Sequence, residues 1–245
     1  MKPLIILAGG FGTRLRTAVS EVPKSLAPVN GKPFLMHLVE NFVSQGADDL
    51  VFLLHFEAPK IKSMLKDMTL AGLLEGVRVR SLVEIKPLGT GGAILNAINK
   101  LEMKDSFLVA NADSWLGTGL QSMNASLPPS LASITAQNCS RYGSLSVVED
   151  KVVSFSEKQS SQEEGKINAG LYHLSPKDFL DTSFTDSNFA IEEELFPKLA
   201  DSGSLNAITI ETEFIDIGIP EDYFKFCEWM EGGKNFELSN EKICC

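Results

Sequence analysis

Two rhythms of apolar positions share the first half of the chain. Short strand-like runs occupy residues 3–8, 50–55, 77–83 and 107–111, and between them apolar residues return every three or four positions. Successive apolar residues suit a strand covered on both faces, and the longer period suits a helix lying on such a face. Phe34, Leu35, His37, Leu38 and Phe42 predict a helix over 33–45, and a second follows over 60–68. Gly89-Thr90-Gly91-Gly92 opens a third, over 93–100. Strands and helices taking turns in this way predict βαβ units and a mainly parallel sheet. The run over 107–111 delivers Asp113 just past its C-terminal end, the edge of an open α/β sheet where ligands bind.

Beyond about residue 120 the alternation gives way to shorter strands, predicted over 132–137, 144–148 and 152–156, the last two joined by a Glu149-Asp150 turn. Strand character returns over 168–175, followed by a helix over 191–200 and a strand over 207–211. The second half therefore reads as mixed. No internal repeat or hexapeptide array is present, which excludes a β-helical extension. Residues 160–166 read as a polar loop, and little core pattern remains after Glu231.

With 245 residues and 44% hydrophobic content the chain can build an ordinary packed core. Its formal charge of −10 and pI near 4.9 argue against nucleic-acid binding, which needs a basic surface. A small anionic ligand stays compatible with that average, because a local cluster of Arg, Lys and metal can outweigh it. Cys139, Cys227, Cys244 and Cys245 lack metal-ligand spacing and suit a reducing cytoplasm. The N-terminus is too short in apolar residues for a signal peptide, and no window is long enough to span a bilayer. A cytoplasmic protein is expected.

The first strand breaks into Gly9-Gly10-Phe11-Gly12, followed by Thr13-Arg14 and, ten residues on, Pro23-Lys24. Glycines let backbone N–H groups approach a ligand closely, and Arg and Lys meet phosphate oxygens. The stretch reads as a phosphate cradle, although it is neither the dinucleotide fingerprint nor the Gly-Lys-Ser/Thr phosphate loop.

The opening "LAGGFGTRLRTAVSEVPKSLAPVNGKPFL" resembles the signature of the sugar-1-phosphate nucleotidyltransferases. "EIKPLGTGGAILNAI" (84–98), "ANADSWL" (110–116), "FSEKQ" (155–159), "INAGLYHLSP" (167–176), "IEEELFPKLA" (191–200) and "FIDIGIPEDY" (214–223) resemble the later motifs of that family, in the same order. The resemblance spans about residues 3 to 226 and implies a Rossmann-like, GT-A-like α/β fold with a mixed, mainly parallel sheet flanked by helices. It implies one domain over 1–231, with a nucleoside triphosphate half to about 120, a sugar-phosphate half beyond it and a tail over 232–245. Within the family the opening motif and "PLGTGGA" look most like the heptose 1-phosphate guanylyltransferases, which make GDP-heptose for bacterial surface glycans. Mannose-1-phosphate guanylyltransferases and glucose-1-phosphate thymidylyl- or uridylyltransferases share most features, and a sensor that keeps the pocket without turnover is the alternative from another class.

In the implied reaction a sugar 1-phosphate attacks the α-phosphorus of a nucleoside triphosphate, GTP by resemblance, and expels pyrophosphate. The attacking phosphate has a second pKa near ~6, so no general base is required. Charge must instead be managed, which calls for Mg²⁺ on hard oxygen ligands. Asp113 and Asp216 are assigned to it, by that chemistry and by the two aspartate motifs of the family. By resemblance Arg14 holds the β- and γ-phosphates with the backbone of Gly9, Gly10, Gly12 and Thr13, while Lys24 reaches the α-phosphate. The base is expected over the turn at Leu7, Ala8, Gly9 and Gly10 and beneath Pro87, Gly89, Thr90 and Gly91, with Glu84 accepting from guanine. Lys158 is expected to grip the sugar phosphate, and the sugar to lie across Asn111, Asn168 and Gly170, with Glu193 or its neighbour Glu192 accepting from hydroxyls. Gln159, Ala112 and Ile219 stand where the family motifs usually carry proline, glycine and threonine.

Overall fold

A computed structural model describes residues 1–12, 15, 19, 22–137, 139, 142, 144–156, 164–180 and 188–232. In chain order these form β1 (Leu4–Leu7), β2 (Pro28–Val29), β3 (Lys32–Pro33), α1 (Phe34–Ser44), β4 (Asp49–Leu54), α2 (Ala58–Leu70), β5 (Arg78–Val83), α3 (Gly89–Lys100), β6 (Phe107–Asn111) and β7 (Ser114–Leu116). The remainder are α4 (Leu120–Ala125), β8 (Ser130–Ala136), β9 (Ser144–Val148), β10 (Lys151–Ser156), β11 (Gly165–Leu174), α5 (Phe196–Asp201), β12 (Asn206–Thr209), β13 (Phe214–Asp216) and α6 (Pro220–Glu231).

Nine strands form one sheet in the order β5-β4-β1-β6-β11-β8-β12-β10-β9. β1 lies between β4 and β6 and runs parallel to both, and β5 continues the parallel half beside β4. β11 then pairs antiparallel with β6 and β8, while β12 returns parallel to β8. This is the mixed Rossmann-like α/β sheet implied by the resemblance, with the parallel part where the alternation of runs predicted it. The register of β11 shifts between Asn168 and Tyr172, and Lys166 and Ile167, on the early side of the shift, also pair with β9.

Alternate side chains of each parallel strand serve two cores. Leu4, Ile6, Phe52 and Leu108 join Phe34, Leu38, Ile61 and Phe226 from α1, α2 and α6 in one buried layer. Ile5, Val51, Leu53 and Val109 join Ile94 and Ala97 of α3 and Phe196 of α5 in the other. Full burial of such side chains stabilises by roughly 1.5–3 kcal/mol each, so helices on both faces are what these doubly apolar strands demand. Among the described residues no helix is long and apolar enough to cross a membrane.

Three local features differ from expectation. α3 begins at Gly89, with the glycines inside its first turn. The helix expected over 191–200 is divided into a wide π-helical turn, Ile191–Leu195, and α5. Pro197, in the first turn of α5, has no N–H to donate to the preceding turn, so the regular ladder cannot run through this point. The short strands β7 and β13, which pair with each other away from the main sheet, and the helices α4 and α6 were not foreseen.

His173 of β11 is buried, with Nδ1 3.1 Å from the Ser126 hydroxyl and Nε2 without a partner among the described residues. Burial, reinforced by the positive charge of Lys2, lowers its pKa from 6.5 to about 4. Below pH 6.5 the unfolded chain therefore takes up a proton that the folded ring refuses. Stability is expected to fall as pH drops through that window, by up to roughly 3 kcal/mol. Thermal melts at pH 7 and pH 5 test this: His173→Gln should lose much of the difference that the parent chain shows, and an unchanged difference would acquit the imidazole.

Candidate active site

β1 ends at Leu7, and the chain turns across the C-terminal edge of the parallel strands through Gly9, Gly10 and Gly12. Gly12 has a φ of +60°, and a Cβ there would come within 2.6 Å of Lys24 Cβ. Only glycine meets both demands at low cost, and its absence of side chain lets the turn close on Lys24. Lys24 itself begins a 3₁₀ turn, Lys24–Leu26, behind Pro23.

Asp113 comes two residues after the end of β6, whereas Asp216 comes from the end of β13, some hundred residues later. The two meet because β7 and β13 pair antiparallel with Asp216 opposite Ser114, and Ile217 N–H donates to the Asp113 carbonyl at 3.0 Å. Lys24 Nζ donates to Asp113 Oδ2 at 2.8 Å and to Asp216 Oδ1 at 3.0 Å. Gly218 N–H donates to Asp216 Oδ1 at 2.7 Å, and Ser114 Oγ donates to Asp113 Oδ1 at 3.3 Å. Lys24, Asp113 and Asp216 line a cleft of about 310 Å³ with Leu7, Ala8, Gly10, Gly12, Ser25, Ala112 and Gly218.

The electrostatics of the cleft are those of one cation between two anions. Burial disfavours the Lys24 ammonium, but Asp113 and Asp216 outweigh it and raise the pKa, so the amine stays charged. The Asp216 carboxyl is also raised, first by burial and then by the like charge of Asp113, against the pull of Lys24. A second polar group lies to one side. Asn168 Nδ2 donates to the buried Tyr172 hydroxyl at 3.0 Å, Asn111 Nδ2 reaches the same oxygen at 3.5 Å, and Asn168 Oδ1 accepts from Gly170 N–H at 3.0 Å. Burial, then the charge of Glu192, keeps the Tyr172 phenol protonated well above its usual range. Asn111 Oδ1 is buried without a partner among the described residues. At Gly170, with φ +74°, a Cβ would come within 3.1 Å of Asn111 Nδ2 and Ser114 Oγ.

Glu84 Oε2 accepts the Leu88 N–H at 3.2 Å, which ties the carboxylate to the loop before α3, and burial raises its pKa. Pro87 is exposed on that loop and Gly89 is exposed at the start of α3, while Gly91 is buried beneath Phe189. Glu193 is exposed, whereas its neighbour Glu192 is half-buried and accepts from the Thr90 hydroxyl at 2.8 Å. Gly9 stands under the turn, where a Cβ would come within 3.3 Å of His55. Thr13, Arg14 and Lys158 lie outside the described residues.

Sequence reasoning missed Ser25 and Gly218 as lining residues, Tyr172 as the hub between Asn111 and Asn168, and Phe189 as the cover of the glycine loop. Ser25, Gly218 and Tyr172 fall inside stretches already singled out. Phe189 carried no signal of its own.

Residues 3–231 match the nucleotidyl transferase family model. The chain is 34% identical to the D-glycero-alpha-D-manno-heptose 1-phosphate guanylyltransferase of Campylobacter jejuni, over 91% of this chain and 97% of that protein. It is 30% identical to the protein of the same name from Aneurinibacillus thermoaerophilus, over 90% of this chain and 95% of that one. Among solved structures it resembles HddC from Yersinia pseudotuberculosis complexed with GMP-PN, with a TM-score of 0.81, 36% identity, and coverage of 94% of this chain and 100% of that one. A cleft that sets a lysine and two aspartates beside a glycine turn thus sits in a sequence matched from its first strand to its last helix, and the chain belongs to the nucleotidyl transferase family.

Proposed function

We propose that this enzyme transfers GMP from GTP to a sugar 1-phosphate, D-glycero-alpha-D-manno-heptose 1-phosphate by preference, and releases GDP-heptose and pyrophosphate. The observation that carries the reading is the convergence of Asp113 and Asp216 on Lys24 beside the Gly9–Gly12 turn. The guanylyltransferase relatives, similar over nearly their whole length, support the base and the sugar. The reaction takes place in the cytoplasm, and residues 1–231 act as one domain with its nucleotide half before about residue 120.

A divalent cation, Mg²⁺ in this reading, fits the donors present. Two carboxylates already converge on a positive group, and Asp216, whose pKa is raised first by burial and then by the like charge of Asp113, would be relieved of that repulsion by a second cation. Among the described residues no group of three or more His, Cys, Asp or Glu side chains could hold a metal. Mg²⁺ commonly uses one or two carboxylates and takes its remaining ligands from phosphates and water. Asp113 and Asp216 would hold it, and when bound it supplies positive charge to phosphoryl oxygens that otherwise repel each other.

The other duties fall to the chain itself. Backbone N–H groups of the Gly9–Gly12 turn, with Arg14, receive the triphosphate, and Lys24 turns its ammonium to the α-phosphate, where negative charge is redistributed. A sugar phosphate oxygen forms a bond to the α-phosphorus while the α–β phosphoanhydride bond breaks and pyrophosphate departs. The nucleophile is already ionised at neutral pH, so no residue need take its proton. Lys158 holds the sugar phosphate, and Asn111, Asn168 and the glutamate pair hold the hydroxyls. Within that pair the half-buried Glu192 is the acceptor we assign, with the exposed Glu193 beside it.

Purified protein incubated with heptose, mannose or glucose 1-phosphate and each of the four nucleoside triphosphates tests this reading. Pyrophosphate release should be fastest with GTP and heptose 1-phosphate. A preference for dTTP or UTP with glucose 1-phosphate would reject the proposed specificity.

A further inference from the structure

The loop expected beneath the base and the segment expected around the sugar are joined to each other. Phe189 N–H donates to the Leu88 carbonyl at 3.1 Å, and Gly91 N–H donates back to the Phe189 carbonyl at 2.9 Å. The Phe189 ring lies so close to Gly91 that a Cβ there would come within 2.0 Å of it. The Thr90 hydroxyl then accepts from Ile191 N–H at 2.9 Å and donates its single proton to Glu192 Oε2 at 2.8 Å. With that proton committed inside the protein, Thr90 Oγ has no proton left to donate to a substrate.

The bond to Glu192 holds a carboxylate that has much to gain from it. Burial raises the Glu192 pKa, and the Thr90 hydroxyl is the largest influence opposing that rise. Asp113 and Glu193 add repulsion, and the anion is held at this place by the Thr90 hydroxyl on a neighbouring helix together with a backbone hydrogen bond of its own residue. Glu192 in turn bears electrostatically on Tyr172, the hub of the Asn111 and Asn168 amides.

We infer that Thr90 is a positioning residue: its hydroxyl aims the Glu192 carboxylate at the sugar of the sugar 1-phosphate and ties that carboxylate to the nucleotide loop. The inference rests on the reading of Glu192 as an acceptor for sugar hydroxyls. Its side chain thus serves the second substrate, although its backbone lies in the loop assigned to the first.

Steady-state kinetics with both substrates varied separate the two. Thr90→Val should raise KM for the sugar 1-phosphate by about ten-fold, the value of one hydrogen bond to a charged group. KM for GTP should stay within about two-fold, and Thr90→Ser, which keeps the hydroxyl, should stay within about two-fold for both substrates. Glu192→Ala should raise the sugar 1-phosphate KM at least as much, and adding Thr90→Val to it should change little further, because the two residues act as one unit. An equal rise in both KM values, failure of Thr90→Ser to restore binding, or full additivity in the double variant would overturn the inference and leave the proposed reaction standing. An unchanged sugar 1-phosphate KM in Glu192→Ala would overturn it through the sugar contact. A wild-type enzyme that makes no sugar nucleotide from any pair would overturn the proposed reaction and this inference together.

Discussion

Asp113→Asn is expected to lower turnover by about 10³-fold. Binding of the nucleoside triphosphate should weaken by less than about ten-fold, because the lost charge matters most where charge is being redistributed. The substitution is nearly isosteric, and an amide oxygen still accepts from Lys24 Nζ, now 2.8 Å from Asp113 Oδ2. Asp216 gains by losing a like-charged neighbour, since Asp113 contributes to its raised pKa. The fold should therefore survive, and a near-normal melting curve with collapsed turnover is the expected pairing. Pyrophosphate release and calorimetric GTP binding measure the two quantities. Near-normal turnover would remove Asp113 from the reaction.

Lys24→Met is expected to lower turnover by about 10²–10³-fold through loss of the charge that the proposed reaction sets against the α-phosphate. Unlike Asp113→Asn, it should also destabilise the fold. The lysine side chain is 14% exposed, and removing it leaves two carboxylates facing each other with Gly218 N–H as a remaining donor to Asp216. The cost is roughly 2 kcal/mol, below that of a fully buried pair because both aspartates retain solvent contact. Acidification should recover part of it, since one of the two facing carboxyls can then take a proton. Lys24→Arg should not restore turnover, because Gly12 and Gly218 crowd the lysine and a guanidinium is a broad fork rather than a point charge. A variant that melts like the parent would show that the ammonium is not what holds the aspartates together.

Much of this arrangement can be read from residue order. The parallel half announces itself because Ile5, Val51, Leu53 and Val109 face one core while Leu4, Ile6, Phe52 and Leu108 face another, which leaves no polar position inside those strands. The glycine turn is equally plain, since Gly9, Gly10 and Gly12 follow directly on an apolar run. β7 and β13 escape for the opposite reason. Three residues are too few to display a period, and the two partners lie about a hundred residues apart in the chain. Glu192 and Glu193 could not be told apart because adjacent positions in a helical turn differ only in direction, and Pro197 widens this turn into a geometry that no regular wheel describes. The hydroxyl of Thr90 carried no signal at all, as its partners come from residues a hundred positions away.

The pairing of Asp216 with Ser114 has a consequence for how the enzyme comes into being. A ribosome that has released the glycine turn, the lysine and the first aspartate has made a chain with no second carboxylate to set against them. Under the proposed reaction, turnover can appear only once synthesis has passed Asp216, and a product terminated before that residue would hold one aspartate and stay chemically silent.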